Sequence, residues 1–294
     1  MTIADGIWHQ IFSFDHYGEL LTLVRNSLVA GAALGLVGGL AGVFVIMRDL
    51  PFAVHGISEL SFAGASAALL LGTNIVAGSI TGSLLAAGVI GILGTRARDR
   101  NSVIGIIMPF GLGLGVLFLA LYKGRAANKF GLLTGQIVAV DTPQMAWLLS
   151  TSVVVVIALA VIWRPLAFAS ADPDVAEARG VPVRGLSIAF MLVLGLAVAL
   201  SVQVVGALLV LSLVTTPAAA AARVTASPVL LPALSVLFAI ASIEGGILLA
   251  LGSSIPISPY VTTISFTIYV VCRLTGRYGT RGRGARRRSV AQPA

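Results

Sequence analysis

The sequence predicts an all-α protein that crosses a lipid bilayer with eight or nine helices. Hydrophobic residues make up 57% of the 294 residues, charged residues only 10%, and the mean hydropathy is +1.01. Soluble domains carry about a quarter charged residues, so most of the surface of this chain must meet lipid. The apolar runs are long and continuous, which favours helices over the alternating strands of a membrane β-barrel.

Nine apolar runs mark the candidate spans. They cover residues 20–47, 57–73, 76–95, 103–122, 145–163, 186–205, 207–222, 229–251 and 259–274. A shorter piece, 131–140, cannot cross a bilayer and is predicted to be re-entrant or a half-helix outside the main spans. Residues 1–276 therefore form one predicted transmembrane domain, and residues 277–294 a basic, disordered cytoplasmic tail.

Arginine-rich loops set the predicted orientation, because cytoplasmic loops carry an excess of Lys and Arg. Three segments are assigned to the cytoplasm: the loop with Arg96, Arg98 and Arg100, the loop with Arg164, Arg179 and Arg184, and the tail. Nine spans would place the N-terminus outside, and eight would place it inside. We expect the tail to bind anionic lipid headgroups and not nucleic acid.

Two ionisable residues, His55 and Glu59, lie at the start of the second span. Ionisable side chains inside a membrane are costly and mark functional sites. Four residues apart on a helix, the two side chains project from one face. An imidazole nitrogen and a carboxylate oxygen placed in this way can bind a divalent transition metal. The same spacing also suits a plain hydrogen-bonded ion pair near the membrane interface, and the spacing alone favours this plainer interpretation.

The loop from 169 to 183 is the longest charged segment between spans. Asp172 or Asp174 can cap a short helix that runs to Arg179, and Gly180 suits the position after its end. A short amphipathic helix would let a membrane subunit dock on a soluble partner. The alternative is an ordinary connector.

The seventh apolar run contains a proline, Pro217, which removes a backbone hydrogen bond and is predicted to kink its helix. The hydroxyls of Thr215 and Thr216 can satisfy freed carbonyl groups. The alanines that follow allow close contact between helices. We interpret this segment as a packing hinge and not a catalytic site.

Four other polar residues lie in or near the spans: Gln136, Asp141, Gln203 and Glu244. Gln136 and Asp141 could form an entry gate, although interfacial caps are favoured. Gln203 suits a hydrogen bond between helices. Glu244 is either a structural partner to an unseen donor or part of a polar path, and the sequence favours neither.

Several segments, in order, resemble the ABC-3 family, the permeases of bacterial ABC importers for zinc, manganese and iron. Residues 43–49 (Val-Phe-Val-Ile-Met-Arg-Asp) and 55–64 (His-Gly-Ile-Ser-Glu-Leu-Ser-Phe-Ala-Gly) resemble the family's Val-Phe-Leu-Val-Leu-Arg-Arg and Asp-Ala-Ile-Ser-His-Ala-Val-Leu-Pro-Gly. Residues 99–105 resemble its Asp-x-x-Ile-Gly turn, and 170–182 its Ser-Phe-Asp-Pro-x-x-Ala-x-x-Gly-Val-Pro loop. The segment ending at Pro217 resembles its Pro-Ala-Ala-Thr-Ala.

The resemblance implies roles for particular residues. In the family, an Asp and a His four residues apart line the metal path, and here His55 and Glu59 stand at those positions with carboxylate and imidazole exchanged. Ala63 replaces the family's proline. The family loop contacts the cytoplasmic ATPase, which assigns Asp172, Pro173, Ala176 and Gly180 to the coupling surface.

The resulting prediction is a multi-pass permease of the bacterial cell membrane. Two copies of it would form a path between them, through which a divalent metal crosses the membrane. Its partners would be two ATPase subunits, an extracytoplasmic metal-binding protein and a second permease copy. No P-loop motif occurs, so the energy would come from the separate ATPase. The chain itself would be no enzyme and would hold no cofactor besides the transported ion. Zinc is slightly favoured over manganese or iron. The alternatives are an ion-gradient-driven secondary transporter and a metal-dependent intramembrane enzyme.

Overall fold

The computed structural model describes residues 24–93, 97–124, 132, 142–207, 209–251 and 256–290, with side chains for all of these except 97–99, 142–144 and 277–290. This part of the chain contains ten helices and no strand. The helices are α1 (Arg25–Met47), α2 (Pro51–Leu71), α3 (Ile75–Leu93), α4 (Ala97–Leu121), α5 (Thr142–Ala171), α6 (Pro173–Ala178), α7 (Val183–Val205), α8 (Val210–Val224), α9 (Leu230–Leu251) and α10 (Ile257–Val290). The all-α prediction is therefore confirmed.

Eight of these helices are long and apolar enough to cross a membrane, namely all except α6 and α8. The prediction for the seventh apolar run, 207–222, is wrong as a full span, because α8 has only 15 residues. At 1.5 Å per residue it rises about 22 Å, less than the ~30 Å of a hydrocarbon core. The prediction for 131–140 lies outside the described residues, apart from Leu132.

The second span begins six residues earlier than the apolar run predicted, at Pro51 instead of residue 57. Proline is well suited to the first helical position, where its missing N–H has no partner to lose. Leu50, just before it, is buried at 3% exposure and fixes the entry of the helix. Both His55 and Glu59 consequently lie inside a regular helix and not at its margin.

The helices pack in two groups that share α1 and α7. One group places α2 against α3 and α4. The other places α1 against α9 and α8, and packs α8, α9 and α10 together. Helix α7 contacts α3, α5, α2 and α1, and so joins the groups. At this junction Phe44 meets Trp163 and Phe190 edge-on, with ring centroids 4.7 and 5.7 Å apart.

Helices α2 and α3 approach each other unusually closely through glycines. A Cβ built on Gly64 would overlap the carbonyl oxygen of Gly78, and one built on Gly82 would overlap that of Leu60. Small residues permit such contact in lipid, where dispersion contacts replace the hydrophobic effect as the force between helices. This seam holds the part of α2 that carries Glu59 firmly against α3.

A buried break separates α7 from α8. Gly206 ends α7 with a positive φ of 86°, and Val205 and Ala207 are at most 1% exposed. Irregular backbone at membrane depth is tolerated where protein buries it, and here the surrounding cluster of Leu34, Leu213 and Ile243 does so.

Apolar side chains cover the outer faces of α3, α4 and α5. Leu85, Ile106, Phe110, Ile157 and Val161 are each more than half exposed. Such a surface is stable in lipid and would be an aggregation hazard in water. The outward faces of these helices are therefore lipid-facing.

Candidate functional site: a paired imidazole and carboxylate

The predicted pair, His55 and Glu59, projects from one face of α2, one turn apart. His55 Nε2 lies 3.7 Å from Glu59 Oε1. This separation is longer than a hydrogen bond, so the two side chains are near each other without being joined. The nearby Ser58 hydroxyl donates instead to the backbone oxygen of His55 at 2.8 Å.

Both members of the pair have unsatisfied polar atoms. Glu59 is only 3% exposed, whereas the His55 side chain is 26% exposed. Glu59 Oε2 and His55 Nδ1 are buried and have no hydrogen-bond partner among the described residues. Buried polar groups are nearly always paired, and leaving one unpaired costs about 1–3 kcal/mol. Among the described residues, these two atoms on one helix face are therefore available to an ion or a hydrogen-bond donor.

Helix α4 confines the pair from the side. A Cβ built on Gly111 would lie 3.0 Å from the backbone carbon of Glu59, so the two helix backbones are in direct contact. The glycine seam to α3 contacts the next residue, because a Cβ built on Gly82 would overlap the carbonyl oxygen of Leu60. The backbone at Glu59 and Leu60 is therefore packed directly against both α4 and α3.

No further candidate metal ligand joins the pair within the described part of the chain. The described residues contain no group of three or more His, Cys, Asp or Glu side chains that could hold an ion together. A divalent transition metal takes at least four ligands. The described part of one copy therefore offers two candidate ligands at this place, fewer than such an ion takes.

The predicted short helix in the charged loop is confirmed as α6. Asp172 Oδ1 accepts a hydrogen bond from the Val175 N–H at 3.0 Å, and Pro173 occupies the first helical position. Gly180 follows the end of the helix with φ +82°, a conformation that glycine adopts readily. Ala176 is fully buried and anchors the helix to the core.

The outer face of α6 carries side chains that are exposed in the described part of the chain. Asp174 and Glu177 are exposed, and Val175 is 45% exposed. The sequence pattern did not single out Val175. An exposed aliphatic side chain between two acidic residues, on an anchored helix at the end of a span, is a suitable contact for a soluble partner.

Pro217 lies within α8, and the Thr215 hydroxyl donates to the backbone oxygen of Leu211 at 2.5 Å. The carbonyl that lacks an N–H donor because of the proline is that of Leu213. The Thr215 hydroxyl therefore satisfies the backbone oxygen one turn before its own position, that of Leu211, and not the Leu213 oxygen. The kink at Thr215, Thr216 and Pro217 stays a prediction.

Two further polar residues of the spans lie apart from the pair. Glu244 faces Gly31 of α1 so closely that a Cβ there would be 2.8 Å from its Oε1. That oxygen is buried and meets no hydrogen-bond donor in the described ranges. Gln203 lines a small gap with Val76 and Leu148. The predictions for Gln136 and Asp141 lie outside the described residues.

Sequence reasoning missed a basic cavity of about 340 Å³ beside α6. Arg48, Arg100 and Arg184 line it together with Pro173 and Glu177. Arg100 and Arg184 belong to two of the segments that the sequence assigns to the cytoplasm, and Arg48 follows α1. The cavity brings all three arginines together, so these span ends lie on the same face of the molecule.

Fold and site together define the class: a multi-pass helical membrane protein that carries two potential metal ligands in one span and a short capped helix at the end of another. The model of the ABC 3 transport family matches residues 21–276. The chain belongs to this family, and it is a multi-pass protein of the bacterial cell membrane.

Individual relatives carry transport names. The chain is similar to the manganese transport system membrane protein MntC of Halalkalibacterium halodurans, with 24% identity over 84% of this chain and 85% of the relative. It is also similar to the high-affinity zinc uptake system membrane protein ZnuB of Haemophilus influenzae, with 24% identity over 86% of this chain and 97% of that one. Among solved structures, PsaBC from Streptococcus pneumoniae in complex with Fab matches with a TM-score of 0.78, 24% identity and coverage of 87% of this chain and 95% of that one.

Proposed function

We propose that this chain is the membrane permease subunit of an ATP-driven importer of a divalent transition metal. The observation that carries the proposal is the His55–Glu59 pair, two potential metal ligands with unsatisfied atoms on one buried helix face. The relatives named for manganese and zinc transport support the same class of cargo. The metal is cargo here and not a resident cofactor.

The donor set of the pair bears on which metal is carried. An imidazole nitrogen and a carboxylate oxygen suit zinc, and they also suit manganese and iron. The 3.7 Å between His55 Nε2 and Glu59 Oε1 is longer than the separation of two ligands on one ion of any of these metals, so the side chains would move closer around each of them. Zinc is the proposed cargo, with manganese and iron as competitors.

The incomplete ligand set supports transport between two copies of the chain. One copy offers an imidazole and a carboxylate, so two copies facing each other would offer four ligands, enough for a tetrahedral ion. The His55 side chain, which is 26% exposed, would face the second copy. Oligomers with two-fold symmetry commonly build such shared sites.

Helix α6 is proposed to transmit movement from an ATPase that docks on the cytoplasmic side. The helix is capped by Asp172, begins at Pro173 and is followed by Gly180 in a left-handed conformation, and the buried Ala176 packs it against the core. Force applied to the exposed face at Val175 would pass through Ala176 to the packed helices. An extracytoplasmic metal-binding protein would deliver the ion on the opposite side.

The decisive experiment is transport into proteoliposomes that contain the chain with its cognate ATPase. Uptake of zinc, manganese and iron would be compared with and without ATP on the side of the membrane where the ATPase subunits lie. We expect ATP-dependent uptake with zinc transported at the lowest concentration. Uptake that follows an ion gradient without ATP would replace this proposal with a secondary transporter. Saturable uptake of no divalent metal would reject it.

A further inference from the structure

The basic cavity beside α6 has the composition of an anion site. Its polar lining consists of three arginines (Arg48, Arg100 and Arg184), together with Ser187 and one acidic residue, Glu177. Outside the lining, Asp49 interacts with Arg100. Among the described residues, two carboxylates thus oppose three guanidinium groups, and only one of the carboxylates, that of Glu177, belongs to the cavity wall.

Arg48 is held in a fixed position that leaves one donor free. Its Nη2 donates to the Ser187 hydroxyl, which in turn donates to the backbone oxygen of Val183 at 2.8 Å. The guanidinium lies 5.9 Å from the ring centroid of Phe190, within the range of a cation–π contact. Its Nη1 is buried and meets no acceptor in the part of the chain that the structure describes.

Arg100 lines the same cavity. Its Nε is also buried without an acceptor among the described residues. Burial, and to a lesser extent the charge of Arg100, lower the pKa of Arg48 from its usual value. Two like charges with free donors are held near each other, so an oxyanion between them would relieve the repulsion and satisfy both donors.

The position of the cavity identifies the class of anion. Arg48 follows α1, Arg100 lies near the start of α4 and Arg184 near the start of α7, so the cavity lies at the level where spans end and lipid headgroups begin. Ile90 of α3 lines the cavity, and Ile92 and Leu93 just beyond it are more than half exposed to the lipid side.

From this geometry we propose that the cavity binds the phosphate of an anionic phospholipid headgroup. Arginine forks match phosphate oxygens in pairs, and basic pockets between transmembrane helices are known to suit such headgroups. The apolar wall of Leu50, Ile90 and Met191 suits the glycerol region of the same lipid. Free phosphate carries the same chemistry and is distinguished by experiment.

A bound headgroup would also touch α6, because Pro173 and Glu177 line the cavity. The lipid would then brace the docking helix against the turn between α1 and α2. Lipid binding does not depend on the proposed transport function. Failure of metal transport would therefore leave the lipid proposal unaffected, and failure of lipid binding would leave the transport proposal unaffected.

The test uses the full-length chain purified in a neutral detergent. Native mass spectrometry would measure retention of added phosphatidylglycerol, phosphatidylcholine or inorganic phosphate. The variants are Arg48→Gln and Arg184→Gln, and the control is Arg164→Gln, an exposed arginine of α5 that does not line the cavity. Arg184 is exposed, so its variant keeps the test valid even if Arg48→Gln fails to fold.

We expect phosphatidylglycerol to be retained over phosphatidylcholine, with affinity about tenfold lower in Arg48→Gln and about threefold lower in Arg184→Gln. Arg164→Gln should bind as the wild type does. Inorganic phosphate that binds equally well and displaces the lipid would assign the site to free phosphate. Equal binding by all variants would overturn the proposal. So would a purified complex in which Arg48→Gln weakens ATPase association and no phosphate binds, because an acidic side chain of the partner would then be the occupant.

Discussion

Replacing Glu59 with glutamine removes one negative charge from the candidate metal pair and leaves the side-chain volume almost unchanged. Glu59 is 3% exposed, so a change in size would disturb its contacts with α4, whereas an isosteric change should not. Its Oε2 has no partner among the described residues, and a glutamine amide would lose no hydrogen bond there. We therefore expect the stability of the Glu59→Gln chain to stay within about 1 kcal/mol of the wild type.

The loss in metal affinity should be much larger than the change in stability. Replacing even an outer-shell partner of a metal site costs about 10–100-fold, so loss of a direct carboxylate ligand should cost at least about 100-fold. That factor corresponds to about 2.7 kcal/mol per site. If two copies share one ion, both carry the substitution, and the combined loss approaches about 5 kcal/mol.

Zinc uptake at several concentrations into proteoliposomes with the complete transporter measures this effect. We expect the Glu59→Gln transporter to need a far higher zinc concentration or to show no uptake, with normal membrane insertion. Ser58→Ala is the matched control, because the Ser58 hydroxyl bonds a backbone oxygen and not the pair. The double variant His55→Asp with Glu59→His restores the order of ligands seen in the wider family and should recover part of the uptake.

The reasoning is refuted if Glu59→Gln transports zinc with unchanged concentration dependence. Equal losses in Glu59→Gln and Ser58→Ala would also contradict it, because they would indicate a general disturbance of α2.

Two further changes test the packing and the docking helix. Gly78→Ala should lower the melting temperature, because its Cβ would collide with the Gly64 carbonyl and cost about 1–3 kcal/mol. Gly88→Ala is the control in the same helix; no atom lies within 4 Å of its Cβ, so it should be neutral or slightly stabilising. Equal effects of the two substitutions would contradict the close contact between α2 and α3. Val175→Asp should leave folding intact, because Val175 is 45% exposed, but should reduce ATP hydrolysis stimulated by the permease several-fold. Unchanged ATPase coupling in that variant would remove the outer face of α6 from the docking surface.

Local spacing explains which site features could be predicted from the sequence. The helical repeat places His55 and Glu59 on one face whatever surrounds them, and the structure confirms that placement. Capping is also local, so Asp172 and Gly180 could be assigned to the two ends of α6 before the fold was known. Each of these features depends on residues fewer than ten positions apart.

Other features depend on contacts between distant segments. Hydropathy could not show that α8 is short, because the residues around the Gly206 break are as apolar as a span, and only burial by α1 and α9 makes the break possible. The absence of hydrogen-bond partners for Glu59 Oε2 within the described residues is likewise a property of the packed helices and not of α2 alone.

The sequence alone determined that this protein is a multi-pass helical membrane protein, because composition fixes which solvent the chain can tolerate. It also determined that His55 and Glu59 lie on one face of their helix and that a short helix follows Asp172. The tertiary structure decided that the pair is buried and unsatisfied, that α2 and α3 meet backbone to backbone, and that three arginines from separate loops share one cavity. Those properties arise from residues up to about 140 positions apart, such as Arg48 and Ser187, and a linear pattern carries no information about such distances.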